Sequence, residues 1–268
     1  MDRSKALRHI ALVSILLVLI VPFLVLILWS FSQGWASNDL MPNEFGLRGW
    51  RYLFSPQSRT LSSLGVSILI SLVVTGFGLI LSIPAGKALG LYNFPGKRLI
   101  ELLVLAPTII PTIAVGMGIQ IAFIRYGLAD TLLGVILVHL PIVLPYGIRI
   151  FASIYKALGT KWEDQAKILK ANGWQRFWFA SLPFLYPGII SAGVLMFNVS
   201  FSQYFLTYLI GGGKIMTLPI LLFPFVNSGD RVMASGLSLI FILSSLILML
   251  IIERVITDSE QKTNFYYL

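Results

Sequence analysis

Six stretches of this 268-residue chain contain no Asp, Glu, Lys or Arg and are predominantly apolar. They cover residues 10–38, 60–86, 102–124, 131–148, 177–213 and 232–252. A helix needs about 20 apolar residues to cross a bilayer core of about 30 Å, and each stretch meets or approaches that length. The sequence therefore predicts an all-α integral membrane protein with six transmembrane helices. The first is expected to be retained, because its apolar part is longer than the core of a usual signal peptide.

The basic residues predict how the chain is oriented. With the amino terminus in the cytoplasm, 14 of the 20 Lys and Arg residues fall on the cytoplasmic side and 6 fall in outer loops. The positive-inside rule favours this arrangement, which places both termini in the cytoplasm. The net charge of +9 is then explained by topology and by contact with anionic membrane lipids rather than by binding of nucleic acid.

Three regions are expected along the chain. Residues 1–60 hold the first transmembrane helix and a polar outer loop, and residues 61–256 hold a core of five further helices. A cytoplasmic loop at residues 157–183 belongs to this core, and residues 257–268 form a cytoplasmic tail. The turn sequence Asn93-Phe94-Pro95-Gly96 ends the second helix. Gly86 and Gly90 predict a close approach between helices, because small residues let backbones come together.

Two of the predicted helices carry a pair of prolines four residues apart, Pro107 with Pro111 and Pro141 with Pro145. Each proline lacks an amide N–H and frees a carbonyl, so a kink is expected. The kinks either serve packing alone or line the path of a solute. On the second interpretation, the candidate path residues are Pro107, Pro111, Ser202, Tyr204 and Tyr208.

Residues 160–183, here named the charged segment, interrupt the apolar pattern between the fourth and fifth predicted helices. The run from Thr160 to Glu163 fits a capping box, with Thr160 as the N-cap. A helix is predicted from there to about Ala171, with Asn172-Gly173 as a left-handed stop.

An apolar stripe is predicted along this helix. Helical spacing would place four residues on it, namely Leu158, Trp162, Ala166 and Leu169. Beyond the turn, Trp174, Phe177, Trp178 and Ser181 make a second stripe suited to the membrane interface. The segment is then either an interfacial helix with a solvated charged face or a helix that docks on a partner.

The order of residues in the charged segment resembles the cytoplasmic loop of permease subunits in binding-protein-dependent ABC importers. That loop carries an E-A-A triplet and a glycine, followed about a dozen residues later by an L-P pair. Counted back from Leu182-Pro183, the triplet falls on Asp164-Gln165-Ala166, and Lys170 stands at the glycine position. Because Gly173 comes three residues later, the bend between the two helices is expected to shift. The departures suggest a subunit that pairs with a non-identical partner.

The resemblance continues from about residue 61 to residue 255. The region of Pro107, the segment from Pro141 to Pro145 and the stretch from Ser200 to Tyr204 look like the spermidine/putrescine branch of the family. A polyamine is the cargo that this branch implies, while ferric iron, thiamine, an organophosphonate and oxyanions stay open.

Membership of that family would imply a defined set of partners. They are a second permease, cytoplasmic ATPase subunits that bind ATP and Mg, an extracytoplasmic substrate-binding protein and membrane lipids. No cofactor or metal is expected on this chain. In such permeases the loop helix sits in a groove of the ATPase. The residues that the resemblance assigns to this coupling are Trp162, Glu163, Asp164, Ala166, Lys167, Leu169, Lys170, Ala171 and Gly173.

Other functional classes have weaker support in the sequence. No G-x-x-x-x-G-K-[ST] phosphate loop occurs, so the chain is not expected to hydrolyse ATP or to be an enzyme. A secondary carrier or channel independent of ATP is the main alternative, but ion-coupled carriers usually bury charged residues at mid-depth, and the six stretches contain no Asp, Glu, Lys or Arg. A membrane enzyme would need a polar cluster, and the chain has no cysteine and only two histidines.

Overall fold

The computed structural model describes residues 3–34 and 41–264, and most of these residues are helical. The helices of the described part are α1 (Arg3–Ser30), α2 (Arg48–Leu53), α3 (Thr60–Leu91), α4 (Lys97–Ile109), α5 (Thr112–Arg125), α6 (Leu132–Leu158), α7 (Lys161–Ile168), α8 (Gly173–Gln175), α9 (Leu182–Phe201), α10 (Phe205–Gly211), α11 (Leu218–Ser228) and α12 (Arg231–Asn264). A 3₁₀ turn covers Pro56–Ser58, and a π-helical turn at Arg176–Ser181 joins α8 to α9. The short strands β1 (Ser32–Gly34) and β2 (Glu44–Phe45) pair antiparallel.

Five helical stretches are long and apolar enough to cross a membrane: Leu12–Ser30, Thr60–Leu91, Leu132–Leu158, Gly173–Phe201 and Arg231–Ile252. The pair α4 and α5 passes the same test together and makes a sixth span when it is counted as one. The all-α membrane fold predicted from the charge-free stretches is therefore confirmed. Residues 35–38 of the first stretch and 265–268 of the predicted tail lie outside the described residues.

The third predicted helix is not continuous. It breaks between α4 and α5, whose axes differ by 100°. Ile110 lies at the break in extended conformation, with φ −81° and ψ 125°. The ring of Pro111 disfavours helical dihedrals at the residue before it, which explains the position of the break. By contrast, Pro141 and Pro145 both lie inside the single helix α6.

The fifth predicted helix also breaks, at residues 202–204 between α9 and α10. His139 of α6 spans this break. Its Nδ1 lies 2.9 Å from Ser200 Oγ, and its Nε2 lies 2.8 Å from Thr207 Oγ1. Thr207 also donates to the carbonyl of Gln203, at 2.8 Å. These hydrogen bonds satisfy polar groups that a broken helix would otherwise leave unpaired in an apolar environment.

The chain divides into two units. One unit comprises residues 1–64 and 218–244. Within it, the ring of Trp50 lies between the rings of Phe31 and Phe54, at centroid distances of 5.6 and 6.0 Å. Arg231 lies over the ring of Trp29 at 5.4 Å, so the end of α1 and the start of α12 are in contact.

The other unit comprises residues 65–217 and 245–268 and holds the larger apolar core, in which Val143, Phe151, Leu185 and Met196 are fully buried. The backbones of α3 and α6 approach closely within it. A Cβ added to Gly86 would lie 2.5 Å from Phe151 Cβ, and one added to Gly90 would lie 2.6 Å from the carbonyl oxygen of Ala152. The close approach predicted from this glycine pair is confirmed.

Candidate functional site

The charged segment folds as two short helices joined by a tight turn, all within the larger unit. Its first helix, α7, ends at Ile168, three residues before the predicted end at Ala171. The chain then turns through Lys170, which has a φ of 60°. Asn172 has a φ of −72° and a ψ of 172°, so the left-handed stop predicted at Asn172-Gly173 is wrong.

Backbone hydrogen bonds explain why the turn falls at Lys170. The amide of Ala171 donates to the carbonyl of Ala166 at 3.0 Å, and the amide of Lys170 donates to that of Lys167 at 2.9 Å. This pair of bonds is a Schellman motif, which requires a left-handed residue just beyond the helix. Lys170 supplies that conformation at the position where the resembled loop carries glycine. The expected shift of the bend toward Gly173 does not occur.

The capping box lies at the second helix rather than at the first. The side chain of Thr160 accepts no amide hydrogen bond from the first turn of α7. Instead, Asn172 Oδ1 accepts from the amide of Gln175, and Gln175 Oε1 accepts from the amide of Asn172, both at 2.9 Å. The prediction at Thr160 failed because the carboxylate of Glu163 has partners elsewhere.

Those partners form what we call the clasp, consisting of Lys87, Glu163 and Ser181. Lys87 Nζ, near the end of α3, donates to Glu163 Oε1 at 2.6 Å and to Oε2 at 2.8 Å. Ser181, which is buried, donates to Oε1 at 2.9 Å. The Glu163 side chain is only 13% exposed and that of Lys87 is 31% exposed. The clasp thus joins α3, α7 and the residue that precedes α9.

The clasp shifts the protonation equilibrium of Glu163. Burial by itself raises the pKa of this carboxyl, but hydrogen bonds from Lys87 and Ser181, together with the charges of Lys87 and Arg176, outweigh burial and lower the pKa below its usual value. The carboxylate is therefore ionised at neutral pH, as a charged hydrogen-bond acceptor for Lys87 must be.

The predicted apolar stripe is not one continuous surface. Leu158 is the last residue of α6, and Gly159, with a φ of 65°, turns the chain before α7 begins. Trp162 packs on Phe184 of α9 with ring centroids 5.0 Å apart, and Ala166 is half-buried. Trp162 and Glu163 thus both hold α7 against other helices of the same unit.

The free surface of α7 lies toward its carboxyl end. Ile168 and Leu169 are each 82% exposed, which is unusual for adjacent aliphatic residues outside the spans. Asp164 and Lys167 form an exposed ion pair at 2.7 Å beside them. Hydrogen bonds from Lys167 and Thr160 lower the pKa of the Asp164 carboxyl.

Sequence reasoning missed Ile168, although two aliphatic residues between Lys167 and Lys170 were a signal that could have identified it. The other predicted coupling residues divide by position. Glu163 and Ala166 are half-buried, and Trp162 contacts Phe184 although it is 47% exposed. The others are exposed, except for the half-buried Ala171: Asp164, Lys167, Leu169, Lys170 and Gly173.

The second helix of the charged segment exposes aromatic side chains. Trp174 and Trp178 pack together with centroids 5.4 Å apart, and both are exposed. Phe177 packs on the apolar core, and Ser181 belongs to the clasp. The second predicted stripe is therefore split between the surface and the interior.

The candidate path residues lie at or near the two helix breaks. Pro107 lies inside α4, and Pro111 immediately precedes α5. Ser202 and Tyr204 lie at the break before α10, where the rings of Tyr204 and Tyr208 stack with centroids 5.8 Å apart. Within residues 3–34 and 41–264, no group of three His, Asp or Glu side chains could hold a metal ion.

Comparison with known proteins gives consistent matches over most of the chain. A family model described as binding-protein-dependent transport system inner membrane component matches residues 78–263. A protein of Salmonella paratyphi A, whose name assigns it to 2-aminoethylphosphonate transport as permease protein PhnV, is 26% identical over 243 residues, which is 90% of each chain. The sulfate transport system permease protein CysT of Escherichia coli is 23% identical over 254 residues, covering 89% of this chain and 87% of CysT.

A solved structure has the same fold. It is the crystal structure of a bacterial ABC transporter involved in the import of the acidic polysaccharide alginate. One of its chains matches with a TM-score of 0.67 and 18% identity, and the match covers 96% of this chain and 96% of that chain.

Proposed function

Because this chain belongs to the family of binding-protein-dependent transport system inner membrane components, we propose that it forms half of the translocation path of an ATP-driven importer. It is a multi-pass permease subunit of the inner membrane. On this proposal it works with a second, non-identical permease, two cytoplasmic ATPase subunits and an extracytoplasmic substrate-binding protein. ATP and Mg bind to the ATPase partner, and this chain carries neither.

The exposed end of α7 is the proposed docking site for the ATPase, and its apolar surface is the observation that carries the proposal. Ile168 and Leu169 project from a helix that the clasp holds in place. Burying an exposed aliphatic side chain contributes about 1.5–3 kcal/mol, so a groove that covers both residues would gain substantial affinity. The adjacent Asp164–Lys167 pair would set orientation more than affinity.

The side of the membrane follows from the same proposal. The charged segment lies in the cytoplasm together with both termini, as the distribution of Lys and Arg predicts. A carrier or channel that works without ATP is not favoured, because the family is one of binding-protein-dependent systems.

The cargo is the least constrained part of the proposal. The sequence resemblance favours a polyamine, and the stacked rings of Tyr204 and Tyr208 could bind its cationic groups. The names of the two relatives favour an oxyanion or an organophosphonate. Calorimetric titration of the cognate binding protein with spermidine, 2-aminoethylphosphonate and sulfate decides between these classes.

Cysteine cross-linking tests the docking site directly, because the natural chain contains no cysteine. Ile168→Cys is expected to cross-link to the ATPase and to react with a membrane-impermeant thiol reagent only from the cytoplasm. Tyr126→Cys, at an equally exposed position just after α5, is the matched control and should capture no ATPase. Cross-linking from Tyr126→Cys alone, or labelling of Ile168→Cys from outside, would overturn the proposal.

A functional readout complements the cross-links. Ile168→Asp combined with Leu169→Asp should lower transport-coupled ATPase activity by about tenfold or more, since two buried aliphatic contacts are replaced by charges. The amount of this variant in the membrane should stay normal, because neither residue packs within the chain. Full ATPase coupling in the variant would contradict docking at this surface.

A further inference from the structure

A second feature of the larger unit lies apart from the exposed face of α7. A cavity of about 630 Å³ opens between the end of α3, the first turns of α4 and the last turns of α6. Its lining includes Lys97, Glu101, Arg149 and Lys156, so three cations and one carboxylate face the same space. A smaller adjoining cavity of about 480 Å³ shares Lys97 and Glu101 and adds Arg98.

These charges are not balanced within the described part of the chain. Lys97 Nζ donates to the carbonyl of Tyr92 at 3.1 Å, but no ion pair shorter than 4 Å joins Glu101, Arg149 or Lys156 to any described residue. Like charges that share a partly enclosed space repel one another, and ionisable groups beside apolar helices usually have a partner. A bound anion would supply that partner, and the planar guanidinium of Arg149 suits a phosphate group.

The remaining wall of the cavity is aliphatic. Leu89, Val104, Leu105 and Ile148 line it beside the charged groups. A free inorganic anion has no apolar part that could pack against these aliphatic side chains. A phospholipid has both parts, a charged phosphate and acyl chains.

We propose that this cavity is a binding site for an anionic phospholipid. The phosphate is held by Lys97, Arg149 and Lys156, and the acyl chains lie along the aliphatic wall formed by Leu89, Val104, Leu105 and Ile148. Glu101 opposes the bound phosphate by like-charge repulsion and so limits the affinity of the site. This site requires neither the ATPase nor a particular cargo, so it stands or falls independently of the proposed function.

Native mass spectrometry of the full-length chain in a nonionic detergent provides the test, with phosphatidylglycerol and phosphatidylcholine as the probes. The natural chain is expected to retain one phosphatidylglycerol in preference to phosphatidylcholine. Each basic side chain near a headgroup contributes about fivefold in affinity, so Arg149→Gln combined with Lys156→Gln should weaken binding by about 25-fold. The matched control removes two exposed cations elsewhere, Arg125→Gln with Lys161→Gln, and should change binding less than about twofold.

Glu101→Gln provides a second test, in which binding should become tighter rather than weaker. A variant that merely damaged the fold would not bind the lipid more tightly. Removing the repulsive carboxylate should tighten phosphatidylglycerol binding by about fivefold. Equal retention of the two lipids, equal loss in the cavity and control variants, or weaker binding by Glu101→Gln would overturn the proposal. Displacement of the lipid by millimolar inorganic phosphate would show a simple anion site and would overturn the assignment to a lipid.

Discussion

Lys87 Nζ lies 2.6 Å from Glu163 Oε1, although the two residues are 76 positions apart in the sequence. Ser181 donates to the same carboxylate oxygen. One side chain of α7 is therefore bonded to α3 and to the residue that precedes α9. Since this carboxylate is mostly buried, the loss of a partner leaves a charged group without its hydrogen bonds. The position of the charged segment depends on this contact more than on the propensity of an eight-residue helix.

Lys87→Met is expected to loosen α7. The substitution keeps the aliphatic stem but leaves the Glu163 carboxylate without its cation, at a cost of about 1–3 kcal/mol. Amide hydrogen exchange in residues 161–168 should then be faster by about tenfold or more. Lys167→Met is the matched control, because it breaks only the exposed pair with Asp164, which solvent screens, and should leave these exchange rates nearly unchanged. Equal exchange rates in the two variants would argue against the clasp.

The clasp should weaken as the solution becomes acidic. The pKa of Glu163 is below its usual value of 4.5 in the folded chain, so the folded state favours the ionised carboxyl. Its stabilising contribution is complete above that usual value and is lost as the pH falls through the lowered pKa. Protection of α7 amides, corrected for intrinsic exchange, should stay constant between about pH 5 and pH 8 and decline below about pH 4.5. In Glu163→Gln, protection of the α7 amides should not decline in this pH range, because glutamine does not titrate. Loss of protection already near neutral pH in the natural chain would contradict a lowered pKa for Glu163.

Lys170→Gly is expected to stabilise the turn after α7. A lysine in left-handed conformation costs about 1–2 kcal/mol, and glycine avoids that cost. Part of the gain is offset by the greater freedom of glycine in the unfolded chain and by the lost cation at the helix terminus, which leaves about 0.5–1 kcal/mol. Gln165→Gly, inside the same helix, should destabilise it by about 1 kcal/mol. Hydrogen exchange of the Ala171 amide measures both effects: it should be slower in Lys170→Gly and faster in Gln165→Gly. Exchange that is not slowed in Lys170→Gly would contradict the Schellman geometry.

Gly86→Ala is expected to disturb the contact between α3 and α6. The added Cβ would lie 2.5 Å from Phe151 Cβ and 2.9 Å from the amide nitrogen of Ala152, and the backbone must shift to admit it. We expect a loss of about 1–3 kcal/mol in resistance to thermal unfolding. Gly76→Ala is the control in the same helix, where nothing lies within 4 Å and alanine should be neutral or stabilising by about 0.5–1 kcal/mol. Similar melting temperatures for both variants would contradict the close approach.

Much of this fold could be predicted from the sequence, because a helix that crosses a bilayer must be a long apolar stretch with few charged residues. The charge-free stretches located the spans, and Gly86 with Gly90 located a close helix contact. The left-handed Gly96 before α4 also agrees with the predicted turn. Each of these features depends on local residue type or on spacing within one helix.

The remaining features depend on contacts between distant residues or on the backbone of a single residue. Pro107–Pro111 and Pro141–Pro145 have identical spacing, yet only the first pair coincides with a break, since Ile110 is extended there. Glu163 fits a capping box with Thr160, but Lys87 and Ser181 bind its carboxylate instead. Lys170 takes a conformation that its residue type disfavours, because two backbone hydrogen bonds require it.

The bend between α4 and α5 has a consequence for hydration. Helices of 13 and 14 residues are each about 20 Å long, so neither arm alone crosses a hydrocarbon layer of about 30 Å. When the two arms together form one span, their junction at Ile110 and Pro111 lies at a depth where lipid offers no hydrogen-bond donor. The carbonyl of Pro107 cannot accept a hydrogen bond from Pro111, because proline has no amide N–H. It therefore needs a hydrogen bond from water or from a second polypeptide. This geometry therefore excludes a junction that is covered only by lipid and has no access to water.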